Sequence, residues 1–140
     1  MDLSAYIGLP FEDCGRDRNG LDCWGLVRLV LREQWGIEVP SWHTDYADPD
    51  ERAAISTLID ARKDGAWLPV DPGQTQAGDV VLLRWGRHVC HVGILTGPRT
   101  MLHIQRGFNA ALERLDSPLW VHKVHSFWRH RDMAGVSNAA

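Results

Sequence analysis

Apolar residues at Trp24, Val27, Val30, Leu31 and Trp35 recur in steps of three and four, the spacing of one helix face, and Gly36 follows as a stop. This pattern predicts a helix from about Cys23 to Trp35, with Cys23 in its first turn. A short first helix is expected around Leu3 to Gly8. A third is expected from about Pro49 to Arg62, with Asp48 as N-cap, Pro49 at the first helical position and acids in the first turn. Near residue 67 the pattern changes to strands: "VVLLRW" from Val80, "HVCHVGIL" from His88, "TMLHIQR" from Thr100, "AALERL" from Ala110 and "VHSFWRH" near the end. The turn-forming stretches "QAGD", "WGR", "TGPR", "RGFN" and "LDSP" separate them. The connections are too short for the crossover helices that parallel strands need, so the strands form an antiparallel meander. The expected class is α+β, with N-terminal helices packed on an antiparallel sheet.

A chain of 140 residues supports one ordinary hydrophobic core, so a single domain over residues 1–140 is expected, with a fraying tail from about 134. A net charge of -3, with Lys and Arg scattered, argues against a nucleic-acid partner. No run approaches the roughly 18 apolar residues of a membrane span, so no membrane insertion is expected. The opening "MDLSAYIGLPFEDCG" lacks the basic and apolar regions of a secretion signal, which points to synthesis and retention in the cytoplasm or to another route out.

Cys14, Cys23 and Cys90 are odd in number and lack a CxxC pair, so neither a disulfide framework nor a zinc knuckle is indicated. Cys23 stands apart. The first turn of a helix carries partial positive charge and unpaired N–H groups, which stabilise a thiolate, and the Trp24 N–H is a candidate oxyanion donor. Asp22, just before it, is read as a cap or as a contact for a substrate amine. A nucleophilic cysteine needs a base. A turn centred on Gly97 would make His91 and His103 direct cross-strand partners, with Val89, His91 and Gly93 on one face and Met101, His103 and Gln105 on the facing one. His91 then takes and returns the proton, and His103 orients it. The same alternation sets His88 and Cys90 on the other face. His43, His122, His125 and His130 are read as surface or packing residues. Trp24, Trp42 and Trp85 are read as cleft walls or core. Zinc held by Cys23, His91 and His103 would lack a fourth ligand, so no metal is expected.

The blocks "GLDCWGLVRLVLREQWGIEVP", "AGDVVLLRWG" and "HVCHVGILTGPRTMLHI" resemble, in order and spacing, the signature blocks of NlpC/P60 cysteine peptidases, and the resemblance spans roughly Tyr6 to Ile104. It implies a papain-like core, a triad of Cys23, His91 and His103, and no cofactor. It also implies hydrolysis of an amide bond in the peptidoglycan stem peptide, commonly between D-Glu and a diamino acid such as diaminopimelate. Trp24 follows the cysteine where many members have Ser or Ala, as in phage-type members. Phe11 stands at the position of a tyrosine that many members place near the oxyanion or substrate site, so the phenol's part must be absent or supplied by another group. By this resemblance the chain looks like the compact peptidases in tail tips of phages and gene transfer agents, acting at the cell wall beside tail-tip or baseplate hub proteins. A structural tail-tip protein with little activity, and an amidase or acyltransferase using the same Cys and His pair, stay open as alternatives.

Overall fold

The computed structural model describes residues 3–12, 15–39 and 65–133, and of 16, 88 and 90 the backbone only. Helix α1 runs from Cys23 to Trp35 and is bounded as its sequence dictates. Asp22, in extended conformation, accepts a 2.7 Å hydrogen bond from the Gly25 N–H. At the other end Gly36 takes the left-handed conformation, φ 68°, that a residue with a Cβ resists, and its N–H closes on Arg32. The buried surface of α1 is wider than the predicted stripe: Leu26 and Leu29 are buried as well. The expected first helix is reduced to a single 3-10 turn, Ser4–Tyr6. The helix expected from Pro49 to Arg62 lies outside the described residues, as do Cys14, Trp42, His43 and the tail from 134.

Ahead of α1, β1 (Arg16–Asp17) and β2 (Gly20–Leu21) form a two-residue hairpin. Here a Cβ on Gly15 would strike the Gly20 carbonyl, so glycine is what lets the chain fold back close to the helix start. The remaining strands are β3 (Trp67–Val70), β4 (Val80–Trp85), β5 (His88–Leu95), β6 (Thr100–His103), β7 (Ala111–Arg114) and β8 (Val124–His130). They make one antiparallel sheet in the order β3-β8-β4-β5-β6-β7.

Alternation divides the sheet's side chains into two apolar layers. Val80, Leu82, Val92, Ile94 and Leu102 pack with α1, whereas Val81, Leu83, Leu95 and Met101 pack with Leu115, Trp120 and Phe127. Each fully buried Leu or Val contributes about 1.5–3 kcal/mol relative to exposure. Across the sheet's end, the Asp79 carboxylate accepts two hydrogen bonds from Arg129, at 2.7 and 2.8 Å, and one from the Gln76 N–H at 2.9 Å. This satisfies a carboxylate with no exposed surface and ties β8 to the start of β4.

Two details of the sheet differ from the sequence reading. Ile94 pairs with Leu102 and Leu95 with Met101, so the β5–β6 turn centres on Pro98 rather than Gly97. The register is therefore displaced by two residues, and His91 and His103 are diagonal neighbours, not direct partners. An even displacement leaves every side chain on its expected face, because the side-chain period is two. The second detail is a bulge: Leu83 pairs with His91 but Arg84 with Val89, so β5 carries Cys90 as an extra residue. Val89 consequently packs with the α1 layer rather than sharing a face with His91, and the backbone of His88 pairs with Trp85. The expected placement of the His88 and Cys90 side chains, opposite His91, lies outside what the structure describes.

Candidate active site

Helix α1 and strands β5 and β6 carry the predicted site residues. Cys23 opens α1 and is 2% exposed, packed in the apolar layer that includes Val92, Ile94 and Leu102. Asp22 is fully buried and caps the helix, which settles its structural role. Trp24 is also fully buried, its ring 6.4 Å from that of Trp67, so it is core and not a cleft wall. Phe11 is half-buried, bridges to Leu21 just before the helix, and has the Arg106 guanidinium 5.5 Å above its ring.

His91 and His103 meet directly: His91 Nε2 lies 2.9 Å from His103 Nδ1. Diagonal positions on paired strands are about 7–8 Å apart, a gap that two imidazoles span. Gly93 makes the contact possible, since a Cβ there would lie 3.0 Å from Met101 Sδ and 3.4 Å from His103 Cβ. The structure thus joins the two histidines on β5 and β6 and sets Cys23 at the start of α1, the helix that packs against β5.

Aromatic rings enclose the pair. Trp85 stacks on His91 at 5.3 Å, Trp120 lies along it at 6.4 Å, and Trp120 meets His103 edge-on at 4.9 Å. Trp85 therefore serves as a wall of the histidine pair, one of the two roles expected for it. Burial, with the neighbouring His103 adding to it, pushes the His91 pKa down to about 3. His103 is held down to about 4, again by burial, with Glu113 pulling the other way. Both imidazoles are neutral at physiological pH, so one nitrogen of each carries hydrogen and the other accepts. Of the remaining histidines, His122 and His125 are exposed and His130 packs edge-on against Trp67, as surface and packing roles require.

Residues that the sequence reading passed over also surround the pair. Glu113 and Trp120 close its far side, and beside them a cavity of about 370 Å³ is lined by His103, Gln105, Asn109, Glu113, Leu119 and Trp120. Among the described residues, no cluster of three or more His, Cys, Asp or Glu side chains is arranged to hold a metal, and no helix is long and apolar enough to cross a membrane.

A cysteine opening a capped helix, beside an antiparallel sheet that carries two joined histidines, defines an α+β domain of the papain-like kind. Comparison with known proteins narrows this: the NlpC/P60 family model matches residues 8–129, and the chain belongs to that family. It is 26% identical over 121 residues to the murein DD-endopeptidase MepS/murein LD-carboxypeptidase of Escherichia coli K12, covering 86% of this chain and 55% of that protein. It is 28% identical over 131 residues to the probable endopeptidase NlpC of the same organism, covering 92% and 72%. The chain thus spans about half the length of the first of these relatives. Among solved structures, an NlpC/P60 family protein from Bacillus cereus superposes with a TM-score of 0.65 at 20% identity, over 89% of this chain and 36% of that one. The NlpC/p60 domain of the peptidoglycan hydrolase SagA gives 0.57 at 21% identity, over 89% of each chain. These likenesses establish the fold.

Proposed function

We propose that this protein is a cysteine endopeptidase that hydrolyses amide bonds in peptidoglycan stem peptides, with Cys23 as nucleophile, His91 as general base and acid, and His103 as its orienting partner. The observation that carries the reading is the 2.9 Å contact between His91 Nε2 and His103 Nδ1, within a chain of this family whose first-turn cysteine follows the family pattern. Because Nε2 of His91 is engaged, Nδ1 is the nitrogen left to exchange a proton with the thiol. In the working arrangement the Sγ of Cys23 comes within hydrogen-bond reach of that atom, a contact that commonly tightens only once substrate is bound.

The thiolate adds to the scissile carbonyl carbon, and its proton passes to His91. The positive end of α1 favours both the thiolate and the developing oxyanion, for which the Trp24 N–H is the candidate donor. Collapse breaks the C–N bond, and His91 protonates the departing amine, leaving a thioester on Cys23. Water, deprotonated by His91, hydrolyses the thioester to a carboxylic acid and regenerates the thiol. A thiolate next to His91 raises the imidazole's pKa from its buried value, which suits it to the acid step.

We further assign the bond as D-Glu to diaminopimelate, the one the family resemblance implies, and the setting as a phage or gene-transfer-agent tail component that aids wall penetration, on the strength of the phage-type Asp-Cys-Trp-Gly pattern at residues 22–25. The test is mass spectrometry of purified muropeptides after incubation with wild type, Cys23→Ala and His91→Ala. Fragments cut at that bond by wild type alone support the reading. Unchanged muropeptides from the folded, reduced wild type would favour a structural role, and added acyl groups in place of water a transferase.

A further inference from the structure

Strand β7 brings a carboxylate to the far side of the histidine pair. Met101 pairs with Glu113 and His103 with Ala111, so Glu113 is the diagonal neighbour of His103 on the same face. Its Oε2 lies 3.9 Å from His103 Nε2, beyond a hydrogen bond but within ion-pair range, and accepts a 2.7 Å hydrogen bond from the Trp120 indole N–H. Trp120 in turn packs against His103, so one ring both fixes the carboxylate and covers the imidazole. The other groups that bear on the pair are His91 itself and Lys123, whose Nζ sits 5.9 Å above Trp120 and 5.8 Å above Trp85.

The tautomers are linked. If His91 Nδ1 is to accept a proton from the thiol, its hydrogen must be on Nε2 and must point at His103 Nδ1. His103 then carries its own hydrogen on Nε2, the nitrogen that faces Glu113. A carboxylate at that distance favours a hydrogen there and disfavours a bare lone pair. We propose that Glu113, tethered by Trp120, is a positioning residue that selects the Nε2–H tautomer of His103 and so keeps His91 Nδ1 unprotonated for the nucleophile. Cys23, His91, His103 and Glu113 form a directed chain of proton positions. This inference rests on the proposed peptidase reading for its purpose, but its physical content, the tautomer of His103, can be observed without activity.

The experiment is long-range 15N–1H NMR of the imidazoles in the whole protein, wild type and Glu113→Gln. Glutamine keeps the oxygen that accepts from Trp120 and removes the charge. The expected wild-type spectrum shows His103 protonated at Nε2; hydrogen at Nδ1 would overturn the proposal whether or not any variant folds. In E113Q the His103 titration midpoint should move down, because the anion that favoured its charged form is gone. Turnover should fall roughly tenfold or more with KM little changed, because losing a carboxylate that sets a catalytic imidazole's tautomer costs the chemical step rather than binding, and Glu113→Asp should recover part of it. An unchanged His103 midpoint and unchanged kcat in folded E113Q would refute the assignment. Failure of wild type and Cys23→Ala to differ on muropeptides would instead count against the peptidase reading, leaving the NMR result to decide the role of Glu113.

Discussion

Acidification should unfold this protein through its buried histidine pair. His91 and His103 are held near pKa 3 and 4 by burial, whereas in the unfolded chain each titrates near 6.5. The unfolded state therefore binds more protons throughout that interval, and stability rises with pH. The contribution is fully present above the unfolded value and is lost as pH falls toward the folded values. Taking the protein from about pH 7.5 to about pH 5 should cost about 2 kcal/mol per imidazole, about 4 kcal/mol for the pair. At that pH the loss is set by the unfolded pKa, and any folded value well below 5 gives nearly the same answer. Glu33, lowered to about 2 mainly by its hydrogen bonds from Arg18, acts in a lower window, between its unfolded value near 4.5 and the folded one. His130 is also lowered by burial and acts in the histidine window, so a control is needed. The assay is urea unfolding at both pH values for wild type and for the double variant His91→Gln/His103→Gln, in which His130 is unchanged. The double variant should lose most of the pH dependence between these two points. An equal loss of stability in both proteins would refute the buried, neutral pair.

Other consequences follow from single contacts. Asp22→Ala removes the cap on the Gly25 N–H and should cost about 1 kcal/mol in thermal or urea unfolding, whereas Asp22→Asn should retain most of it. Gly93→Ala forces a methyl against Met101 Sδ and His103 Cβ; about 1–3 kcal/mol of destabilisation is expected, with displaced His103 imidazole resonances. Asp79→Ala leaves the partly exposed Arg129 without its two carboxylate contacts and should cost about 1.5–3 kcal/mol by urea unfolding, while activity per folded molecule is kept.

Legibility followed the range of the interactions. The limits of α1 lie in local chemistry, an aspartate cap, a three-and-four apolar spacing and a glycine stop, so Cys23 to Trp35 could be read directly. The five strands expected after residue 67 appear where alternation and turn residues put them, with ends shifted by a residue or a few. Strand β3 was not anticipated, because Pro69 sits inside "WLPV" and proline has no N–H for a ladder. It is tolerated there because β3 is an edge strand with β8 on one side only. The meeting of His91 and His103 survived a misplaced turn, since a two-residue displacement conserves faces. The bulge at Cys90 did not announce itself, and the reasoning that put Val89 on the face of His91 failed with it. Glu113 was invisible for a different reason: nothing in "AALERL" points to His103, and only the β6–β7 register and the Trp120 tether bring it there.

The central claim is that Cys23 is a nucleophile poised by His91, and the rate of Cys23 alkylation by iodoacetamide as a function of pH tests it most directly. Peptide mapping separates Cys23 from Cys14 and Cys90. In wild type, Cys23 should react with a midpoint well below the ordinary thiol value of about 8.5, and in His91→Ala the midpoint should rise toward it. A Cys23 that titrates as an ordinary thiol, unmoved by loss of His91, would contradict the account.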